Sequence, residues 1–88
     1  MSDSDSLLTF PCDLPVKVFG RNGKAFRRTA IAIVERHFGE VGSERVSEQL
    51  SRQESYASLT IVVRAESRAQ MDALYRDLTA SPDILMAL

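Results

Sequence analysis

The sequence predicts an α+β sandwich, in which two helices cover one face of a four-stranded antiparallel sheet. Period-two alternation of apolar residues marks strands near residues 14–18 and 57–65. Helical spacing marks residues 24–38 and the segment that follows Ser67. The elements therefore follow the order β-α-β-β-α-β. In that order both βαβ halves can close right-handed, which places the two helices on the same face of the sheet.

The first strand and the first helix are joined by a short glycine-containing loop. The strand alternates apolar residues at positions 14, 16 and 18 with outward positions 15, 17 and 19. Because proline has no N–H for the sheet ladder, we expect Pro15 near the strand's start or on its unpaired side. An apolar stripe at helical spacing then predicts a helix over 24–38, which Gly39 stops.

The middle of the chain contains one ambiguous segment and one clear strand. Within residues 43–53, Val46 and Leu50 lie four apart, which suits either a helical stripe or one face of a strand. A stripe only two residues wide favours a polar edge strand. Residues 57–65 then alternate without interruption and predict a strand with one buried face.

The last third of the chain predicts a second helix and a short strand. Ser67 and Gln70 form a capping box, in which side chain and backbone satisfy each other at a helix start. Ser81 and Pro82 end that helix. The final residues alternate as a short strand with Ile84, Met86 and Leu88 on one face.

This order of elements defines a ferredoxin-like sandwich, with an open sheet face opposite the helices. The predicted core lies between the sheet and the helices, and its members are all apolar. They are Val16, Val18, Phe26, Ala30, Ile33, Leu59, Ile61, Val63, Met71, Leu74 and Leu78.

Composition limits the classes of function that the chain can serve. Its 88 residues predict a single domain over 7–88, after a disordered polar tail at 1–6. Lys and Arg number 11 against 12 for Asp and Glu, a balance that favours neither nucleic acid nor an anionic membrane. No apolar run is long enough to span a bilayer, and the acidic start does not resemble a signal peptide. We therefore expect a cytoplasmic protein.

Four short motifs, spread over residues 7–88, carry a family resemblance: Leu8-Thr9-Phe10-Pro11, Val16-Lys17-Val18-Phe19-Gly20, Ile33-Val34-Glu35-Arg36-His37, and Leu74-Tyr75-x-x-Leu78 through Ile84-x-Met86-x-Leu88. Together they resemble the uncharacterised bacterial proteins of the YbeD type. The resemblance implies a ferredoxin-like fold close to the ACT regulatory domain. It also implies an association with lipoate metabolism, and it supplies no established catalytic residues.

The loop between the first strand and the first helix is the candidate ligand site. It comprises Gly20, Arg21, Asn22, Gly23 and Lys24. Backbone N–H groups at the helix start and the two cations suit a small anionic ligand, such as a carboxylate. ACT domains, which the family resembles, bind amino acids near a glycine after their first strand. The alternative is a tight turn that needs a positive φ at glycine, with two solvated cations.

A phosphate-handling enzyme is the alternative function for this loop. Acylphosphatases share the fold and bind phosphate in a glycine-rich first loop followed by a Phe-Arg pair, which Phe26-Arg27 resembles. The loop is one residue shorter, however, and the chain has no asparagine on a later strand to orient water. We therefore predict no catalytic residues and no enzyme.

Three other functions are disfavoured by the residues available. The sequence predicts only one aromatic residue on the open face, which makes that face a poor stacking platform for RNA. His37 is the only histidine and is expected to pack or to cap its helix. Cys12 has no obvious base partner, so we expect a partly buried thiol that is no nucleophile. No metal or cofactor is predicted.

The open sheet face is the candidate interaction surface. Phe19, Thr60 and Val62, with Leu85 or Ala87 from the last strand, would leave a moderately apolar surface opposite the helices. The apolar patch formed by residues 7, 8 and 10 could instead fold across it. We predict a regulatory or interaction module that binds a protein partner or a second copy, through this face or an edge strand.

Overall fold

The sheet has four strands, whose spatial order is the second, third, first and fourth along the chain, and the long first strand is β1 (Cys12–Arg21). The computed structural model describes residues 9–88, so the predicted tail and the residues Leu7 and Leu8 lie outside the described part of the chain. The other elements are α1 (Lys24–Phe38), β2 (Val46–Leu50), β3 (Tyr56–Ala65), α2 (Arg68–Ala80) and β4 (Met86–Ala87). All strand pairs are antiparallel, so the predicted ferredoxin-like sandwich is confirmed.

The ambiguous segment 43–53 contains a strand at the edge of the sheet. A single 3-10 turn (Ser43–Arg45) leads into β2, which pairs with β3 from Val46 opposite Ile61 to Leu50 opposite Ala57. Four of the five β2 residues are exposed, because the edge strand has no neighbour on its outer side. An edge position therefore explains why this segment has such a narrow apolar stripe.

The core lies between the sheet and the two helices, as predicted. Every predicted core residue is buried, and Val34, Ala57, Ala65 and Ile84 join them. Leu74 and Leu78 of α2 are fully buried, and each such leucine contributes about 1.5–3 kcal/mol of hydrophobic free energy. The apolar faces of the strands and of the helices thus form one buried layer.

The start of α2 is capped from both directions. The Ser67 hydroxyl oxygen accepts a hydrogen bond from the Gln70 backbone N–H at 3.1 Å. The Gln70 side-chain oxygen accepts from the Glu66 N–H at 2.7 Å, one residue before the capping-box position. The helix ends at Ala80 with Ser81 as its C-cap, as the Ser-Pro pair predicts.

The last strand differs from the prediction. The alternating pattern placed Ile84, Met86 and Leu88 on one face, but Ile84 is buried among the core residues whereas Met86 and Leu88 are exposed. Ile84 lies in the turn before β4, where its N–H donates to the Ser81 carbonyl, so it does not share the strand's alternation. In β4, Met86 pairs with Phe19.

Pro15 lies on the unpaired side of β1, as expected. Lys17 exchanges two backbone hydrogen bonds with Leu88, so its N–H and C=O point toward β4. Pro15, two residues earlier, directs its backbone toward the same side, beyond the residues that β4 pairs. The missing proline N–H therefore removes no bond to β3.

Candidate functional site

Within residues 9–88, one face of the sheet carries no helix, and we call it the open face. It is formed by the odd-numbered residues of β1, the even-numbered residues of β3, and Met86 and Leu88 at the end of the chain. Val16 and Val18, which alternate with these β1 positions, are fully buried beneath the helices. The open face is therefore the outer surface of the sheet.

Four apolar side chains lie around Lys17 on the open face. Phe19 and Val62 are half-buried, whereas Met86 and Leu88 expose 48% and 62% of their surface. Thr60 pairs with Lys17. It lies between Ser58, which pairs with Phe19, and Val62, which pairs with Pro15. The structure thus brings the predicted residues Phe19, Thr60 and Val62 onto the same face.

The last strand presents other residues to the open face than expected. Leu85 or Ala87 was predicted there, but Ala87 pairs with buried Val18 and so faces the helices. Met86 and Leu88 take that place instead. The alternating pattern of residues 84–88 does not indicate which residues face the open side, because the pairing register with β1 decides this.

The two ends of the open face are charged or aromatic. At one end, Nη1 of Arg45 and Nη1 of Arg64 lie 3.4 and 3.6 Å from the Asp13 carboxylate. At the other end, the Arg21 guanidinium lies 6.0 Å from the centre of the Tyr56 ring, a cation–π distance. Tyr56 is a second aromatic residue on this face, just outside the predicted strand 57–65.

The two glycines of the predicted ligand loop serve different purposes. A Cβ atom on Gly20 would overlap the ring of Phe26 and lie 2.8 Å from the Asp83 carbonyl oxygen. Gly23, the N-cap of α1, is extended at φ 164° and has open space around it. Neither glycine has the left-handed φ that was expected of a tight turn, so that part of the alternative is wrong, while Arg21 and Lys24 are exposed as it expects.

Asn22 fastens the loop to the β2–β3 hairpin. Its backbone N–H donates to the Ser55 carbonyl at 3.0 Å, and its side-chain Nδ2 donates to the Glu54 carbonyl at 2.8 Å. Its Oδ1 accepts a hydrogen bond from Arg27 at 2.7 Å. Arg27 also forms an ion pair with Glu48 of β2. Both polar side chains are thus engaged by the protein itself.

The five loop residues do not converge on a single point. Gly20 is buried, the side chain of Arg21 lies over Tyr56, and Lys24 is exposed at the first position of α1. A cavity of about 270 Å³ lies beside the loop, lined in part by Arg21, Asn22 and Gly23. Ligand binding at residues 20–24 stays a prediction.

A polar contact also joins the two helices. His37 is half-buried, and its Nε2 lies 2.6 Å from the Asp77 carboxylate of α2. The Gln70 side chain donates to the His37 carbonyl at 3.2 Å, which fixes the end of α1 against the start of α2. Within residues 9–88, no three His, Cys, Asp or Glu side chains are grouped so as to hold a metal ion.

Comparison with known proteins identifies the family. A family model described as a protein of unknown function (DUF493) matches residues 5–88. The chain belongs to the DUF493 family. A UPF0250 protein of Paraburkholderia phytofirmans is 39% identical over 87 residues, which cover 99% of this chain and 98% of the relative. A UPF0250 protein of Ralstonia nicotianae is 39% identical over 84 residues, covering 96% of this chain and 87% of the relative.

A solved structure supports the fold of this DUF493 chain. The solution structure of protein HP0495 from H. pylori matches with a TM-score of 0.69 and covers 100% of this chain and 96% of its own. At 14% identity this likeness shows the fold alone. The resemblance to the YbeD type is confirmed, and the family is one of unknown function whose relatives carry no enzyme name. None of the helices in residues 9–88 is long and apolar enough to cross a bilayer.

Proposed function

We propose that this protein is a non-enzymatic, regulatory interaction module that binds another protein through the open face. One observation carries the proposal: a group of apolar side chains, Phe19, Val62, Met86 and Leu88, lies on the outer surface of the sheet. Sheet faces of this kind are covered by a partner in many proteins, because water contact with clustered apolar side chains is unfavourable. A second copy of the chain is the other occupant that such a face can take.

The contacts of the first loop support a non-enzymatic role. Arg27 would bind phosphate in the acylphosphatase alternative, but it is paired with Glu48 and hydrogen-bonded to Asn22. Asn22, the only asparagine, donates to a backbone carbonyl and so cannot orient an attacking water without releasing the hairpin. Both groups serve to join β1, α1 and the β2–β3 hairpin.

The regulatory part of the proposal concerns a small anionic ligand in the cavity beside residues 20–24. Arg21 lines that cavity and supplies a cation for a carboxylate. Native mass spectrometry of protein purified gently from its own host tests this part. A co-purifying anion that is lost in Arg21→Ala and kept in Arg28→Ala supports it, whereas a mass equal to that of the bare chain contradicts it.

Site-directed photo-cross-linking tests the open face. We replace Phe19 with p-benzoylphenylalanine, and as a control we replace Ala69, which is exposed on α2. Irradiation in lysate of the native host should yield a discrete protein adduct from position 19 that position 69 does not yield. Equal adducts from both positions, or none from position 19, would overturn the proposal. A captured lipoate-metabolising enzyme would also support the link that the resemblance implies.

A further inference from the structure

The open face differs in charge from the protein as a whole. The chain carries 11 basic and 12 acidic side chains, a net charge of −1. Among the strand residues of the open face, however, the basic side chains are Lys17, Arg21 and Arg64, and the one acid is Asp13. Two arginines, Arg64 and Arg45, already share the Asp13 carboxylate. The surface that carries the apolar side chains therefore has a net positive charge on its strand residues.

From this distribution we infer that the open face binds an acidic, amphipathic segment of another protein. The inference rests on the proposed function and adds the chemistry of the partner to it. A complementary segment places its apolar side chains against the apolar side chains of the face, and its carboxylates near the cations. Such complementary potentials steer association and select among partners.

The cations are spaced regularly along the face. Lys17 lies four residues before Arg21 and four residues after Asp13 in β1. Arg64 of β3 pairs with Asp13, so it supplies the cation at that end. At a rise of about 3.3 Å per residue, each step corresponds to about 13 Å. Phe19 occupies one interval, and Val62, paired with Pro15, occupies the other. The segment that fits this face therefore alternates acidic and apolar positions over about 26 Å, twice that step.

The same features disfavour the two other occupants. Two copies stacked through their open faces would bring six cations together, Lys17, Arg21 and Arg64 of each copy, with only the two Asp13 carboxylates to offset them. Nucleic acid would satisfy the cations, but its phosphates offer no cover for exposed Met86 and Leu88. An acidic protein segment with apolar side chains satisfies both the charge and the apolar surface.

The test measures how charge reversal changes the adduct formed from position 19. The face variant combines Lys17→Glu, Arg21→Glu and Arg64→Glu. The matched control combines Arg28→Glu, Arg36→Glu and Arg76→Glu, which are exposed cations of the helices outside the candidate ligand loop and change the net charge equally. A third variant replaces the three face cations with Gln, so that the result does not depend on the fold tolerating three new acids. Thermal unfolding checks that each variant is folded.

We expect the face variant to lower the adduct yield by about tenfold or more, because like charges would then face each other. The Gln variant should give an intermediate loss, the control should stay within about twofold, and added salt should lower the parent's yield. Equal loss in the face and control variants would overturn the inference while leaving the proposed function intact. A ribonuclease-sensitive adduct or an adduct of two copies would overturn it in favour of those occupants. No adduct from the parent would overturn both proposals.

Discussion

The ring of Phe26 lies directly over Gly20, so that α1 meets β1 at a point where a side chain on the strand would not fit. The contact fixes the first residues of α1 against the sheet, next to the loop that holds Asn22. It also places the Asp83 carbonyl within 2.8 Å of a Cβ built on Gly20. Three segments thus meet at one glycine.

The substitution Gly20→Ala should therefore destabilise the protein by about 1–3 kcal/mol, since an added methyl group forces the Phe26 ring and the backbone apart. Gly23→Ala is the matched control, because its Cβ meets nothing within 4 Å. We expect the control to change stability by less than about 0.5 kcal/mol. Urea unfolding measures both, and equal effects would show that the close approach at Gly20 is unimportant.

Asn22→Ala should loosen the β2–β3 hairpin. It removes the side-chain bonds to the Glu54 carbonyl and to Arg27, and we expect a loss of about 1–2 kcal/mol. Asn22→Asp keeps an acceptor for Arg27 but places an acceptor oxygen against the Glu54 carbonyl, so it should loosen the hairpin as well. Hydrogen exchange at the Ser51 and Glu54 amides, which close the hairpin, measures the local effect. Unchanged protection of these amides in Asn22→Ala would contradict the fastening role.

Glu54→Gly should stabilise the protein. Glu54 has a φ of 61°, a left-handed conformation that glycine adopts without the steric cost of a Cβ. Its carbonyl, which accepts from Asn22, is retained in the variant. We expect a gain of up to about 1 kcal/mol in the free energy of unfolding. Gln53→Gly, one residue earlier, should instead be neutral or destabilising, and a gain there as large as at Glu54 would contradict the argument.

We expect the free energy of unfolding to fall at alkaline pH because of Tyr75. Burial raises the pKa of Tyr75 above its usual value of 10.0, because the charged phenolate is poorly solvated there. In the folded chain the phenol keeps its proton to higher pH than in the unfolded chain. Its contribution is therefore fully present below pH 10.0 and is lost as the pH rises through the folded pKa.

Urea unfolding between about pH 8 and about pH 11 measures this loss, across the range in which tyrosine titrates. Tyr75→Phe should make the alkaline decline shallower, whereas Tyr56→Phe, which keeps Tyr75, should preserve it. A Tyr75→Phe variant that declines as steeply as the parent would exclude this group as the cause.

Local patterns predicted much of the fold. The bounds of α1 and every predicted core residue follow from helical stripes and strand alternation, which depend on neighbours in sequence. The edge strand β2 was ambiguous because an edge needs few apolar residues. The face taken by Met86 and Leu88 was wrong, since a strand as short as β4 is oriented by its register and not by its own pattern.

Less of the candidate site was predictable. Phe19, Thr60 and Val62 follow from alternation alone, and the structure places them together. The engagement of Asn22 with Glu54, 32 residues away, has no local signal in the sequence. The requirement for glycine at position 20 comes from the Phe26 ring, which only the packing of α1 brings there.

The position of Pro15 has a consequence for how copies of this chain behave at high concentration. Among residues 9–88, nothing pairs with the β4 side of β1 beyond the residues that β4 and Leu88 pair, and an added strand would need a donor at Pro15. Because proline has none, strand-by-strand growth of one sheet into a fibre is interrupted there. The fold can thus leave an apolar sheet face in solvent for a partner while its β1 edge resists templating aggregation.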